Sequence, residues 1–316
     1  MYCCWLLRST FFLPTLITTL KRHPLLTEGK ATVVDMQTAQ VLFDRIQNAG
    51  IPFGYQQANC HNIAHYISLL AKAQGITLAK IWAFTPGIYT SYNTRVISFK
   101  DKYQLSPTGK IDWGYHVAPV LLVEQDGVIT KMAIDAVLFP NGPVPYKAWL
   151  AKIKTKKLIY LLMDAEWYLF NTSYAANTQL EFFDINTDEP VKPNVIFPYW
   201  FANKCVTDFF KYEDNSKQNG WLEKGLAIND TATTFYENEI KPILTDPSQE
   251  PLLKDYRNLV GNVFNFETVF RDYMYNYEMN EQFYATHADI IEKYRIIFNT
   301  ECLKWQQRVS EILPFE

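Results

Sequence analysis

Apolar and polar positions alternate along this chain with two periods. Residues 35–49 carry apolar side chains at Met36, Ala39, Val41, Leu42 and Ile46, a helical spacing that Asn48-Ala49-Gly50 ends. From Cys60 to Ala73, the residues Ile63, Tyr66, Ile67 and Leu70 form one face of a second helix. Asn59 suits its N-cap and Gly75 its stop. Ala79–Phe84 predicts a strand, and a long polar loop rich in Tyr and Ser follows. The strongest hairpin signal comes next. Tyr115–Val123 is strand-like, Asp126-Gly127 is a favoured two-residue turn, and Val128–Asp135 returns. A Pro/Gly loop over Leu138–Pro145 leads to a short helix at Tyr146–Lys154, and Ile159–Phe183 supplies further strands.

The hairpin fixes a register. With Asp126 and Gly127 as the turn, Gln125 faces Val128, Ala118 faces Asp135 and His116 faces Val137. His116 and Asp135 then project from the same face as diagonal neighbours, about 7–8 Å apart at the backbone.

Asp184–Pro190 and Pro193 form a polar connection, and beyond about Val195 the pattern turns to helices rich in aromatics. The clearest is Thr286–Leu313, with Thr286 as N-cap and a stripe of Ile290, Tyr294, Ile297, Trp305, Val309 and Ile312. The aromatic series from Phe264 to Tyr277 reads as helical core, with a protein-binding face as the second reading.

Composition narrows the classes. The 316 residues are 48% hydrophobic, enough to bury a core and unlike a disordered chain. A net charge of -3 gives no electrostatic reason to expect a nucleic-acid partner. Five cysteines, at 3, 4, 60, 205 and 302, form neither a disulfide framework nor a paired zinc motif, and suit a reducing cytosol. The apolar run over residues 2–20 is interrupted by Arg8 and Pro14, and its basic pair Lys21-Arg22 follows rather than precedes it. A helix packed on the body is expected there, not a signal peptide or a membrane contact through 1–20.

Candidate chemistry lies in three segments: Asn59-Cys60-His61-Asn62-Ile63-Ala64-His65, Trp113-Gly114-Tyr115-His116-Val117-Ala118 and Ala133-Ile134-Asp135. A cysteine attacks as its thiolate, and the free N–H groups at a helix start favour that anion and can steady an oxyanion. An aspartate beside an imidazole fixes its tautomer, so the imidazole can move protons for the cysteine. Cys60, His116 and Asp135 therefore form a candidate acyl-transfer triad. Singly, each reads more simply as a core thiol, a packed histidine and a strand end. His61 and His65 have the spacing of a two-histidine metal site, but the glutamate of HExxH is replaced by Asn62. No metal is expected; one histidine packs and the other is solvated. The sequence has no GxGxxG, P-loop or GxSxG pattern, so nucleotide chemistry and a serine elbow find no support.

At these residues the chain resembles the bacterial protein-glutaminase family, which deamidates glutamine side chains in proteins. The likeness runs through Cys60–His65, Trp113–Ala118, Asp126–Ile129, Ile134–Phe139 and Gly142–Val144, and persists to Trp149. Cys60 and His116 stand farther apart than in the family pattern, which implies an insertion around residues 86–110. Ile63 stands where the family usually has arginine, and Ala136 where proline is usual.

The residue pattern divides the chain into an N-terminal apolar segment (1–29), a catalytic domain (30–195) and a helical accessory domain (196–316), an all-helical C-terminal region with no recognised counterpart in the family. For 30–195 the resemblance implies an α+β fold of papain/transglutaminase-like form, an antiparallel sheet with a packed cysteine-bearing helix. It implies protein-glutamine deamidation with no cofactor. Cys60 would be the nucleophile, His116 the acid/base and Asp135 the orienting carboxylate. Gln56 or Gln57 would serve as a side-chain oxyanion donor beside the Cys60 N–H, and Trp113 and Tyr115 are candidates for the substrate pocket. The partner would be a protein bearing an exposed glutamine, with 196–316 able to engage that target. Bacterial origin and secretion, with action in a reducing cytosol, are implied by the resemblance alone. A cysteine peptidase or transglutaminase would use the same triad, and a non-catalytic module binding through the C-terminal helices stays open as a different class.

Overall fold

The structure is a computed structural model that describes residues 25–53, 59–85, 97–104, 109–153, 158–173, 180–191, 205–264 and 281–313. The apolar segment over 2–20 lies outside the described residues.

The centre of the molecule is β2 (Ala79–Phe84), all six residues of which are buried. It pairs antiparallel with β5 (Tyr115–Gln125) on one side and β8 (Ile159–Asp164) on the other. The sheet continues outward from β8 through β10 (Phe182–Asp184) to β11 (Pro190–Val191). From β5 it continues through β6 (Val128–Ala133) to β7 (Val144–Pro145). A short β1 (Val33–Asp35) lies parallel to β5. The period-two pattern sorts the two faces. Ala79, Ile81 and Ala83 join a core with Trp149 and Tyr160, while Trp82 and Phe84 join the opposite core with Met163 and Phe209.

Asp126 (φ 53°) and Gly127 (φ 77°) are both left-handed, as a type I′ turn requires. The ladder runs in the expected register from Gln125↔Val128 to Val120↔Ala133. It then stops short of the site. The Ile134 N–H still donates to the Pro119 carbonyl at 2.9 Å, but at Asp135 the chain turns away. Asp135 Oδ1 accepts the N–H groups of Val137 (3.2 Å) and Leu138 (3.1 Å), and its carbonyl accepts that of Phe139 (2.8 Å). The expected pairs Ala118↔Asp135 and His116↔Val137 do not form, because this local side-chain turn replaces the strand ladder.

Helices α1 (Met36–Gln47) and α2 (Cys60–Lys72) contact β5. On the other face lies α3 (Tyr146–Lys152), which carries the buried Trp149 and Leu150. The helical C-terminal region is present from Tyr212 onward, and a strand precedes it. This strand, β12 (Cys205–Lys211), pairs with β9 (Trp167–Ser173) as a separate ribbon. A second ribbon joins β3 (Ile97–Lys100) to β4 (Lys110–Trp113).

The principal C-terminal helices are α4 (Trp221–Phe235), α5 (Glu250–Asn262), α6 (Glu281–Thr286) and α7 (Ala288–Ile312). Thr286 does not cap α7. It ends α6, where its hydroxyl donates to the Gln282 carbonyl at 2.8 Å, and His287 occupies the cap position. On α7 the predicted stripe points inward. Tyr294, Trp305 and Val309 are buried in one core with Tyr66 and Ile67 of α2 and Leu226 of α4. Trp305 lies edge-on to Tyr66 at 5.0 Å and donates through Nε1 to Asp230 Oδ2 at 2.7 Å, joining α7 to both helices. Among the described residues, no helix is long and apolar enough to cross a membrane.

Candidate active site

Cys60 is the first residue of α2 and is half-buried. Asn59 stands at the cap position but does not cap, since its side chain makes no bond to the first-turn amides. Instead Asn59 Nδ2 donates to the Gly225 carbonyl of α4, and its Oδ1 accepts from Asn62 Nδ2. The first helical bond, from Ile63 N–H to the Asn59 carbonyl (3.2 Å), leaves the earlier amides outside the ladder.

His116 is the second residue of β5 and is buried. Its Nε2 lies 2.8 Å from Asp135 Oδ2. An ionised carboxylate can only accept, so Nε2 carries the proton of this bond. The same Oδ2 accepts from Trp149 Nε1 at 2.8 Å. With the two backbone donors on Oδ1, Asp135 receives four hydrogen bonds. Burial pushes its carboxyl up, but His116, Trp149 and the Leu138 amide outweigh that and hold it below its ordinary value. Burial likewise disfavours a charged His116. The Asp135 bond and charge, with a smaller contribution from Cys60, reverse this and push the imidazole up to about 10. The direction of this shift favours the imidazolium form of His116. With Nε2 bonded to Asp135, the buried Nδ1 is the nitrogen left for the thiol.

Two indoles hold the ring flat. Trp113 lies 4.7 Å from the His116 centroid at 26°, and Trp149 lies 5.4 Å away at 21°. Cys60, His116, Asp135, Trp113 and Tyr115 line one cavity of about 70 Å³. Ile63 and Ala136 line it too, so both departures from the family pattern face this cavity. The three triad candidates and the two pocket candidates are thus brought together. Gln56 and Gln57 lie outside the described residues.

Residues 39–153 match the glutaminase family. The matched segment holds Cys60, His116, Asp135 and Trp149, and it covers the stretch on which the resemblance rests. The solution structure of protein-glutaminase from Chryseobacterium proteolyticum is 20% identical, covering 52% of this chain and 83% of that one with a TM-score of 0.35. A crystal structure of protein-glutaminase gives 20% identity, 52% and 82% coverage and a TM-score of 0.35. One of pro-protein-glutaminase gives 21%, 47%, 52% and 0.34. No curated protein matches the chain.

Within the matched segment, the reading of His61 and His65 needs correction. Neither is solvated; both are buried. His61 Nδ1 lies 3.0 Å from the Tyr115 hydroxyl, and His65 Nδ1 lies 2.8 Å from Lys80 Nζ. Lys80 is itself buried on β2 and donates to the Trp167 carbonyl at 2.7 Å. Burial holds Lys80 well below the ordinary lysine value. Burial, then the Lys80 charge, lowers His61 to about 3 and His65 well below its usual range. Both imidazoles are neutral packing groups. Among the described residues, no group of three His, Cys, Asp or Glu side chains could hold a metal ion.

Trp149 was the functional neighbour that sequence spacing did not single out. It marked only the end of the resemblance, and its bond to Asp135 depends on how α3 docks under β6.

Proposed function

We propose that the chain is a protein-glutamine deamidase working through Cys60, His116 and Asp135. The reading is carried by one observation: a buried His116–Asp135 pair shares a cavity with a cysteine at a helix start, inside a segment that matches the glutaminase family.

Cys60 attacks the side-chain carboxamide carbon of glutamine as its thiolate. The Cys60 N–H, left uncapped at the start of α2, donates to the developing oxyanion. The imidazolium passes a proton to the amide nitrogen. The C–N bond breaks, ammonia leaves and a thioester remains. His116, now neutral, takes a proton from water, and the hydroxide adds to the thioester carbonyl. The C–S bond then breaks, leaving glutamate on the target and Cys60 as at the start. Asp135 accepts a hydrogen bond from Nε2–H throughout, so Nδ1 is the nitrogen that exchanges protons. The cycle needs no cofactor.

Ammonia release from a glutamine peptide, with intact-mass analysis of the product and a Cys60→Ala control, tests the assignment. The expected result is conversion of amide to acid without chain cleavage, abolished in the variant. Cleaved peptide would identify a peptidase, and incorporation of an added amine a transglutaminase. Full ammonia release by Cys60→Ala would overturn the nucleophile.

A further inference from the structure

We propose that Asn59 and Asn62 are positioning residues that clamp the Cys60 turn to the C-terminal helices through the Gly225 carbonyl of α4. The clamp rests on the reading of Cys60 as nucleophile. It makes the helical region part of the catalytic apparatus, beyond any role in target choice.

An asparagine at a helix start ordinarily bends back and accepts from the second or third amide. Asn59 does not. Its two polar atoms are committed elsewhere, Nδ2 to Gly225 of α4 and Oδ1 to Asn62. Asn62, fully buried, passes the connection on, because its Oδ1 accepts from the Tyr168 hydroxyl of β9. The first turn of α2 is therefore held by groups 106 and 166 residues away rather than by its own cap. The amides beside Cys60 stay open for an oxyanion, and the thiol's direction is set from outside the matched segment.

Gly225 supplies a second, independent observation. It lies inside a 15-residue helix, where glycine is unfavourable relative to alanine. It is not among the residues of positive φ, so the backbone does not require it. A Cβ there would sit 2.6 Å from Asn62 Cγ. Close approach of α4 to the clamp is what the glycine permits.

The test uses the full chain with Gly225→Ala, Asn62→Ala, the double variant, and Asn59→Leu, which keeps shape and charge but removes both bonds. Two readouts are taken: kcat and KM on a glutamine peptide, and the pH midpoint of Cys60 alkylation by iodoacetamide, followed on its own peptide. Gly225→Ala and Asn59→Leu should each lower kcat by about tenfold or more, as misplacement of a reacting group does, with KM changed less than about twofold. Both should move the Cys60 midpoint. The double variant should match Asn62→Ala alone, because the methyl would have nothing left to strike. Additive losses, or an unmoved midpoint in folded Gly225→Ala and Asn59→Leu, overturn the clamp. Should Gly225→Ala not fold, Asn59→Leu decides. Ammonia release retained by Cys60→Ala would instead overturn the catalytic reading, while the alkylation midpoint still reports on the clamp.

Discussion

Asp135→Asn exchanges one carboxylate oxygen for an amide nitrogen at constant shape, and the geometry fixes the consequences. Asp135 meets four donors: Val137 N, Leu138 N, Trp149 Nε1 and His116 Nε2. An amide has one accepting oxygen. If that oxygen keeps the two backbone bonds, the new NH₂ faces the indole and the imidazole. The imidazole can adapt only by giving up its Nε2 proton and keeping one on Nδ1, the nitrogen meant to exchange protons with the thiol. The indole cannot adapt at all. Loss of the correct tautomer should lower kcat by about 10³–10⁴-fold. The unpaired Trp149 N–H should cost about 1–3 kcal/mol of stability. Steady-state ammonia release and urea unfolding read the two effects separately. Adding Trp149→Phe to Asp135→Asn should recover stability without recovering activity, because it removes the unpaired donor and leaves the tautomer wrong. A kcat within about tenfold of the parent would refute the assignment of Nε2 as the proton-carrying nitrogen.

Further outcomes come from the buried lysine and the hairpin. Lys80 is held well below its unfolded value, so the unfolded chain binds the extra proton, and this residue makes stability rise with pH. Between the folded and the unfolded Lys80 titrations, the parent should therefore gain stability relative to Lys80→Met as pH rises, by at most about 1.4 kcal/mol per pH unit; parallel urea profiles would contradict the lowered Lys80. Gly127→Ala meets no atom within 4 Å, yet forces a left-handed φ of 77° on a residue with a Cβ. It should lower stability by about 1–2 kcal/mol and leave kcat unchanged, and an unaltered melting temperature would argue against the type I′ turn.

Local rules made much of the site legible. A period of two, a favoured Asp-Gly turn and a helix start are each read from a few neighbouring residues, and they brought Cys60, His116 and Asp135 together. Strand register was legible as far as the ladder runs, to Val120↔Ala133. It failed at Asp135, where the carboxylate bonds its own backbone instead of leaving the strand extended. Both conformations suit an aspartate at a strand end, and the choice depends on His116 and Trp149 arriving from other elements. The strand at Cys205–Lys211 was missed for a similar reason. Its partner, β9, lies across the polar connection that looked like a change of architecture.

The polar side of α2 shows where local reading ends. Its apolar spacing predicts one buried face, built on Ile63, Tyr66, Ile67 and Leu70. That leaves Asn62 and one of His61 and His65 for solvent, yet all three are buried, and so is nearly every residue from His61 to Ala71. A helix wrapped on all sides needs a second partner besides the sheet, and a buried amide or imidazole needs a hydrogen bond to offset its lost hydration. Lys80, Tyr168, Tyr115 and Asn59 make those bonds, and α4 and β9 bring the covering layer. The polar residues of α2 are therefore a second packing face, made of side chains that bond specific partners. An apolar face would have tolerated α4 sliding along it. Hydrogen bonds of fixed direction do not, which is why a helix 166 residues away in sequence can hold the Cys60 turn in one orientation.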